Sequence, residues 1–167
     1  MRHTLDEVSM LEILAAAESD TRPRTAPHSP EMSAGRCYLE FFDLVYARSG
    51  NDPAQSIHNL FHLSAEALKK SGFADGCPIA TIALEVASTS TPLRRACDAV
   101  FASWQQATAA FLTQSGAPPD RAADLSTYIL AAFEGAIILS RTAHDTRPLR
   151  ITADIVGAAI RAQLAAS

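Results

Sequence analysis

Residues 119–167 read PDRAADLSTYILAAFEGAIILSRTAHDTRPLRITADIVGAAIRAQLAAS, and this stretch decides the fold. Apolar residues recur here at helical spacing, which predicts two helices. Pro119 and Pro148 mark the two helix starts, because proline fits the first helical turn. The connection between the helices is only His144-Asp145-Thr146. The stretch therefore predicts a helical hairpin at the end of an all-α chain.

The second of these helices has more apolar surface than its own domain needs. Its charged residues Arg150, Asp154 and Arg161 share one stripe, because they are four and seven residues apart. One apolar flank comprises Leu149, Ala153, Val156, Ile160 and Leu164, and the other comprises Ile151, Ile155, Ala158 and Ala162. A helix that only covers its own domain needs one apolar stripe. The second flank predicts a partner, unless the helix is the buried core of a monomer.

The first helix of the hairpin supports the same interpretation. Between Ile129 and Leu139 only Glu134 is charged, and Ala131, Ala132, Gly135 and Ala136 are small enough for close helix packing. Two hairpins from two chains would form a four-helix bundle that covers both excess faces. We therefore predict a homodimer whose interface includes Leu139, Ile151, Ile155, Ala158 and Ala162.

Helix start and stop signals extend this pattern towards the N-terminus. Asp52-Pro53, Cys77-Pro78 and Thr91-Pro92 predict helix starts, whereas Gly72 and Ser115-Gly116 predict helix ends. We assign residues 36–167 to one all-helical domain whose first helix covers residues 36–48. Residues 1–35 are predicted to hold a short helix and a flexible proline-rich segment, with no clear DNA-binding head.

Composition narrows the classes of function. The 167 residues are 48% hydrophobic and 19% charged, which is a globular balance, and the net charge of −4 argues against DNA binding by bulk electrostatics. Three cysteines without metal-site spacing favour a reduced, cytoplasmic setting. The nearly apolar stretch Ile129–Leu139 is shorter than the roughly 20 residues of a membrane span, so we expect no membrane contact.

Several segments together resemble one family. They are GFADGCPI at 72–79, ALE at 83–85, PLR at 92–94, GAPP at 116–119 and AFEGA at 132–136. Phe101 and Trp104 lie between the third and fourth of them. In this order the segments resemble the regulatory domain of TetR/AcrR-family transcriptional regulators of the LmrA-like branch, over roughly residues 50–165.

The resemblance implies a homodimeric, all-helical regulatory domain with a ligand pocket among its middle helices. It also implies that a bound ligand changes the spacing of two DNA-reading heads. Residues 1–50 depart from the family because they contain no three-helix pattern and no basic recognition helix. We therefore expect DNA binding only if a head domain is present.

Aromatic residues of the middle helices are the candidate lining of an apolar effector site. They are Phe61, Phe101, Trp104, Phe111, Tyr128 and Phe133, and the alternative is that they form plain core. Glu134 is the candidate polar anchor, because its helical neighbours are apolar and a buried carboxyl must be paired or protonated. Its alternative role is a structural ion pair with Arg94 or Arg95.

Other chemistry-bearing residues give weaker signals. His58, His62 and Glu66 share a helix face at metal-ligand spacing, but Lys69 and Lys70 continue that face and favour a solvated surface. Cys77 lies at a helix start, where a redox sensor is conceivable, and we favour a small buried residue. GxSxG, HExxH and glycine-rich phosphate motifs are absent from the sequence. We expect no enzyme, cofactor or metal.

Three functions remain open at this point. The first is a ligand-responsive transcriptional regulator, a repressor or its sensor domain, that binds an apolar small molecule. The second is a stand-alone helical binding and dimerisation module without DNA contact. The third is a helical enzyme that uses Glu134 and a histidine.

Overall fold

The computed structural model describes residues 52–165, and within that range the chain forms helices and no strand. The helices are α1 (Pro53–Lys70), α2 (Pro78–Val86), α3 (Thr91–Gln114), α4 (Pro119–Ala143) and α5 (Arg147–Ala165). The all-α prediction is confirmed. The predictions for residues 1–35 and for the helix at 36–48 lie outside the described residues.

Local capping explains where the helices begin and end. The Asp52 carboxylate accepts hydrogen bonds from the backbone N–H groups of Ala54 and Gln55, at 3.0 and 3.1 Å, ahead of Pro53. Helix α1 ends at Lys70, and Gly72 follows with φ +64°, a left-handed conformation that glycine adopts without strain. The predicted helix starts and ends are confirmed, with α5 beginning one residue before Pro148.

The chain divides into two compact units. The described part of the first unit is residues 78–103, which comprise α2 and the beginning of α3. Its buried apolar residues recur at helical spacing, as the sequence predicts; they are Ile79, Ile82, Val86, Leu93, Cys97 and Val100. Burial raises the pKa of the Cys97 thiol. The described part of the second unit is residues 52–77 and 104–165.

In the second unit, α5 packs against both α1 and α4. The contacts between α1 and α5 run in opposite order along the two helices, so these helices are antiparallel. Asp154 meets His58, and Arg150 meets Glu66, which lies eight residues further along α1. Near the other end of this contact, a Cβ on Gly157 would lie 3.6 Å from the Ala54 carbonyl oxygen, so the two backbones approach closely.

The core of the second unit is made of large apolar side chains from four helices. The fully buried ones are Ile57, Leu60, Phe61, Leu112, Phe133, Leu149, Val156 and Ile160. Phe61 of α1 and Phe133 of α4 meet edge to face, with ring centroids 5.1 Å apart. This geometry is the favourable one for aromatic pairs.

The segment between α1 and α2 is fixed to the end of α4 by Arg141. The Arg141 guanidinium donates a hydrogen bond of 3.0 Å to the carbonyl oxygen of Ala74. The same side chain crosses Gly76, where an added Cβ would lie 2.8 Å from Nη1. A larger residue at this position would require the Arg141 side chain to shift. Residues 72–77 are thereby placed beside α4, and Cys77 at the end of the segment is buried.

Helix α4 is longer and more continuously apolar than the stretch Ile129–Leu139 suggests. Its 25 residues, Pro119–Ala143, are long and apolar enough to cross a membrane by length and composition alone. Length alone therefore does not exclude a membrane span, because the helix continues beyond both ends of that stretch, and the expectation of no membrane contact stays a prediction. Core helices of soluble proteins can be equally long and apolar. Helix α4 contributes the buried residues Ile129, Phe133 and Ile137 to the core.

Candidate functional site

The hairpin α4–α5 has an apolar face that the rest of its own chain leaves uncovered. Leu139 is 61% exposed, Ile155 56% and Ile151 46%, and Ala158 and Ala162 are also exposed. The opposite flank of α5 is covered by the chain, since Leu149, Ala153, Val156 and Ile160 are buried. All five residues predicted for an interface thus lie on the uncovered face.

Helix α4 extends this face along its length. Tyr128 and Ile138 are 45% and 46% exposed, and the exposed Ala131 lies one turn after Tyr128 and two turns before Ile138. Gly135 lies on the same stripe, and a Cβ added there would meet nothing within 4 Å. We call the residues Tyr128, Ala131, Gly135, Ile138, Leu139, Ile151, Ile155, Ala158 and Ala162 the hairpin face. Its small residues leave room for another helix to approach closely.

The predicted effector-site aromatics divide between the two units. Phe61, Trp104 and Phe133 are buried in the second unit, and Phe111 is half-buried there. Phe101 is half-buried and belongs to the first unit. The second unit therefore brings Phe61 and Phe133 into direct contact, whereas the role of Phe101 stays a prediction.

Tyr128 does not belong to the aromatic core. Its side chain is 45% exposed, while its helical neighbours Leu125 and Ile129 are buried. The core stripe of α4 passes through Leu125, Ile129 and Phe133, which places Tyr128 one helical step to the side. The interpretation of Tyr128 as a core residue is wrong, its role in ligand binding stays a prediction, and its exposed side chain lies on the hairpin face.

Glu134 carries a buried carboxyl group that lacks a full hydrogen bond. Neither Oε1 nor Oε2 is accessible to solvent, and neither has a hydrogen-bond partner of good geometry among the described residues. Burial raises the pKa of Glu134, and hydrogen bonding from the Cys77 thiol lowers it by a smaller amount. Burial therefore disfavours the charged form of this carboxyl relative to that of an exposed glutamate.

The ion pair predicted for Glu134 is not found within residues 52–165. The described salt bridges are His58–Asp154 and Glu66–Arg150, and neither includes Glu134. Arg94 and Arg95, the predicted partners, are both exposed. The reason is their position on α3, where the buried stripe runs through Leu93, Cys97 and Val100 and leaves both arginines outside it.

The His58, His62 and Glu66 stripe faces α5 at the edge of the unit. His58 Nε2 lies 3.1 Å from Asp154 Oδ1, and Arg150 donates to Glu66 Oε1 at 3.1 Å. The two histidine rings stack with centroids 4.4 Å apart, and burial and the neighbouring His58 lower the pKa of His62. The face is solvent-exposed at Glu66, Lys69 and Lys70, as predicted, and the charged stripe of α5 in addition supplies partners to His58 and Glu66.

Within the described residues, no cluster of three or more histidine, cysteine, aspartate or glutamate side chains could hold a metal ion.

Two contacts of the second unit could not be derived from the sequence pattern alone. One is the interaction of the Cys77 thiol with Glu134, and the other is the hydrogen bond from Arg141 to the carbonyl oxygen of Ala74.

Helices in this order, with a buried aromatic core and a long C-terminal hairpin, define an all-helical domain of the TetR type. Residues 53–155 match the family model of the C-terminal domain of LmrA/YxaF-like transcriptional regulators, and the chain belongs to this family. The resemblance drawn from the segments at 72–79 and 132–136 is confirmed.

Two relatives come from Bacillus subtilis. The uncharacterized HTH-type transcriptional regulator YxaF is 32% identical over 111 residues, which are 66% of this chain and 58% of that protein. The HTH-type transcriptional regulator LmrA is 37% identical over 75 residues, which are 45% of this chain and 40% of that protein. An uncharacterized HTH-type transcriptional regulator of Mycobacterium tuberculosis is 36% identical over 87 residues. The chain spans roughly half the length of these relatives.

Proposed function

We propose that this chain is the ligand-responsive regulatory part of a TetR-type transcriptional regulator, acting as a homodimer in the cytoplasm. The observation that carries the proposal is the hairpin face, an uncovered apolar surface on the last two helices of a domain that belongs to this family. Apolar patches of this kind mark interaction sites on soluble proteins.

A second copy of the chain is the partner that fits the hairpin face best. In a twofold dimer the same surface meets itself, so α4 and α5 of one protomer pack on α4 and α5 of the other as a four-helix bundle. Gly135 supports close packing, because it leaves open space on the face. The exposed side chains of Ile151, Ile155 and Leu139 would then be buried.

The effector is an apolar small molecule bound within the second unit. Phe61 and Phe133 supply a buried aromatic pair, Trp104 and Phe111 lie in the same unit, and Glu134 supplies a polar group. Apolar walls with one polar group suit small-molecule binding.

Helix α4 connects the two sites. Its inner side carries Phe133 and Glu134, and its outer side carries Gly135, Ile138 and Leu139. An effector that favours one position of α4 would therefore also favour one arrangement of the dimer. This coupling would regulate a DNA-reading part of the regulator.

DNA binding is proposed on the strength of the relatives, which are named HTH-type transcriptional regulators. The alternative is a binding and dimerisation module without DNA contact. These two functions predict different outcomes in one binding experiment.

A regulator that includes its DNA-reading part is expected to shift DNA from the region upstream of its own gene in an electrophoretic assay at low salt, as the relatives' names imply. The variant Ile155→Glu should lose this binding with the dimer, whereas the control Leu63→Glu should keep it, because Leu63 is a 46% exposed residue outside the hairpin face. An intact dimer that gives no shift would contradict DNA binding and support the stand-alone module.

A further inference from the structure

Glu134 presents an unmet hydrogen-bonding requirement inside the second unit. Both carboxyl oxygens are shielded from solvent, and among the described residues neither has a hydrogen-bond partner of good geometry. Leaving a buried polar group unsatisfied is costly, so native proteins retain such groups rarely. A group retained in this state is a candidate for contact with a bound molecule.

Among the described residues, 52–165, no positive charge forms an ion pair with Glu134. Arg141 lies two turns along the same face of α4, but its guanidinium donates to the Ala74 carbonyl oxygen and crosses Gly76. The group that interacts with the carboxyl is the thiol of Cys77, which is uncharged when protonated and a weak donor. This environment favours a neutral carboxylic acid over a carboxylate.

A neutral carboxylic acid has one O–H donor and a carbonyl oxygen that accepts. Neither oxygen has a hydrogen-bond partner of good geometry among the described residues, so the O–H of the acid form has no acceptor there, and the Cys77 thiol interacts with the carboxyl only as a weak donor. An uncharged ligand that carries a carbonyl oxygen would complete this arrangement. A cation would instead require the carboxyl to ionise in an apolar environment.

We propose that the effector is an uncharged apolar molecule with a carbonyl oxygen, and that Glu134 donates a hydrogen bond to this oxygen with Cys77 behind it. The proposal rests on the proposed function, because it names the chemistry of the ligand for that effector site. Phe61 and Phe133, in edge-to-face contact, belong to the apolar part of the same unit.

Three bicyclic probes of nearly equal size test the proposal by isothermal titration calorimetry on the full chain. They are tetralin, which has no polar group, 1-tetralone, which adds a carbonyl oxygen, and 1-aminotetralin, which is a cation at neutral pH. We expect 1-tetralone to bind about tenfold more tightly than tetralin, since one well-formed hydrogen bond contributes about that factor.

Two variants separate a hydrogen bond from a structural effect. In Glu134→Gln the amide still donates, so the preference for 1-tetralone should remain. In Glu134→Met a side chain of similar length cannot donate, so tetralin and 1-tetralone should bind equally. Thermal unfolding of each variant checks that it is folded, and a folded Glu134→Met protein that retains the preference would contradict the proposal.

The remaining outcomes are also decisive. Equal binding of tetralin and 1-tetralone by the unaltered chain would overturn the inference, as would tighter binding of 1-aminotetralin, and either result would leave the proposed apolar effector site intact. Failure of all three probes to bind would count against the effector site itself and against the inference that depends on it. A water molecule that satisfies Glu134 permanently would give the first of these results.

Discussion

At the scale of single residues, Glu134 predicts an unusual dependence of stability on pH. Burial raises its pKa in the folded chain above the ordinary value of 4.5. The folded state therefore retains a proton that the unfolded state releases, so the stabilising contribution is complete below pH 4.5 and is lost as pH rises through the folded pKa.

The variant Glu134→Gln tests this sign directly, because glutamine cannot ionise. We expect the melting temperature of the unaltered chain to fall relative to that of Glu134→Gln as the pH rises from 4.5, until the folded pKa is passed. Differential scanning calorimetry of both proteins across this range measures the difference. Two parallel profiles would mean that Glu134 ionises as freely in the folded chain as in the unfolded one.

Residue burial was predictable from the sequence only where a residue lies well inside an apolar stripe. The apolar neighbours of Glu134 in α4 predicted its burial correctly, whereas Tyr128, at the edge of the same stripe, was assigned wrongly. The contact between Glu134 and Cys77 was not predictable. It depends on how residues 72–77 fold onto α4, which Arg141 and Gly76 determine through a long-range contact.

At the scale of helices, the contact between α1 and α5 depends on Gly157. An added Cβ would lie 3.6 Å from the Ala54 carbonyl oxygen, which is ordinary van der Waals contact, so alanine fits and a longer side chain does not. We expect Gly157→Ala to change the free energy of unfolding by less than about 1 kcal/mol or to stabilise the chain, because alanine favours helix.

Gly157→Leu should instead destabilise the chain by about 1–3 kcal/mol, the usual effect of overpacking a close contact. Urea unfolding of both variants measures the difference, and Gly157→Ala serves as the matched control for the change of backbone freedom. A leucine variant as stable as the alanine variant would show that α1 and α5 are not held closely at this point.

Helix boundaries were predictable because their signals are local. Asp52 with Pro53, and Gly72 after α1, act within a few residues of the helix ends. The pairing of helices was harder to predict, since the His58, His62 and Glu66 stripe gains its partners from α5, more than 80 residues away along the chain. Opposite charges on the two stripes were a signal for this pairing, but many exposed stripes carry such charges.

At the scale of the whole molecule, the proposed function depends on the hairpin face, which is the proposed dimer interface. Helix α4 is long and apolar enough to cross a membrane by length and composition alone. One side of it belongs to the buried core, and the other side forms part of the hairpin face. In the proposed dimer, a second chain would cover the hairpin face. The excess apolar surface was visible in the sequence, because α5 has two apolar flanks and only one narrow charged stripe.

Sedimentation velocity of the full chain is the most direct test of this central claim. We expect a dimer for the unaltered chain, a monomer or aggregates for Ile155→Glu, and a dimer for the matched control Leu63→Glu, because a charge buried without a partner disfavours association only on the hairpin face. A stable monomer of the unaltered chain at high concentration, or a stable Ile155→Glu dimer, would contradict the account.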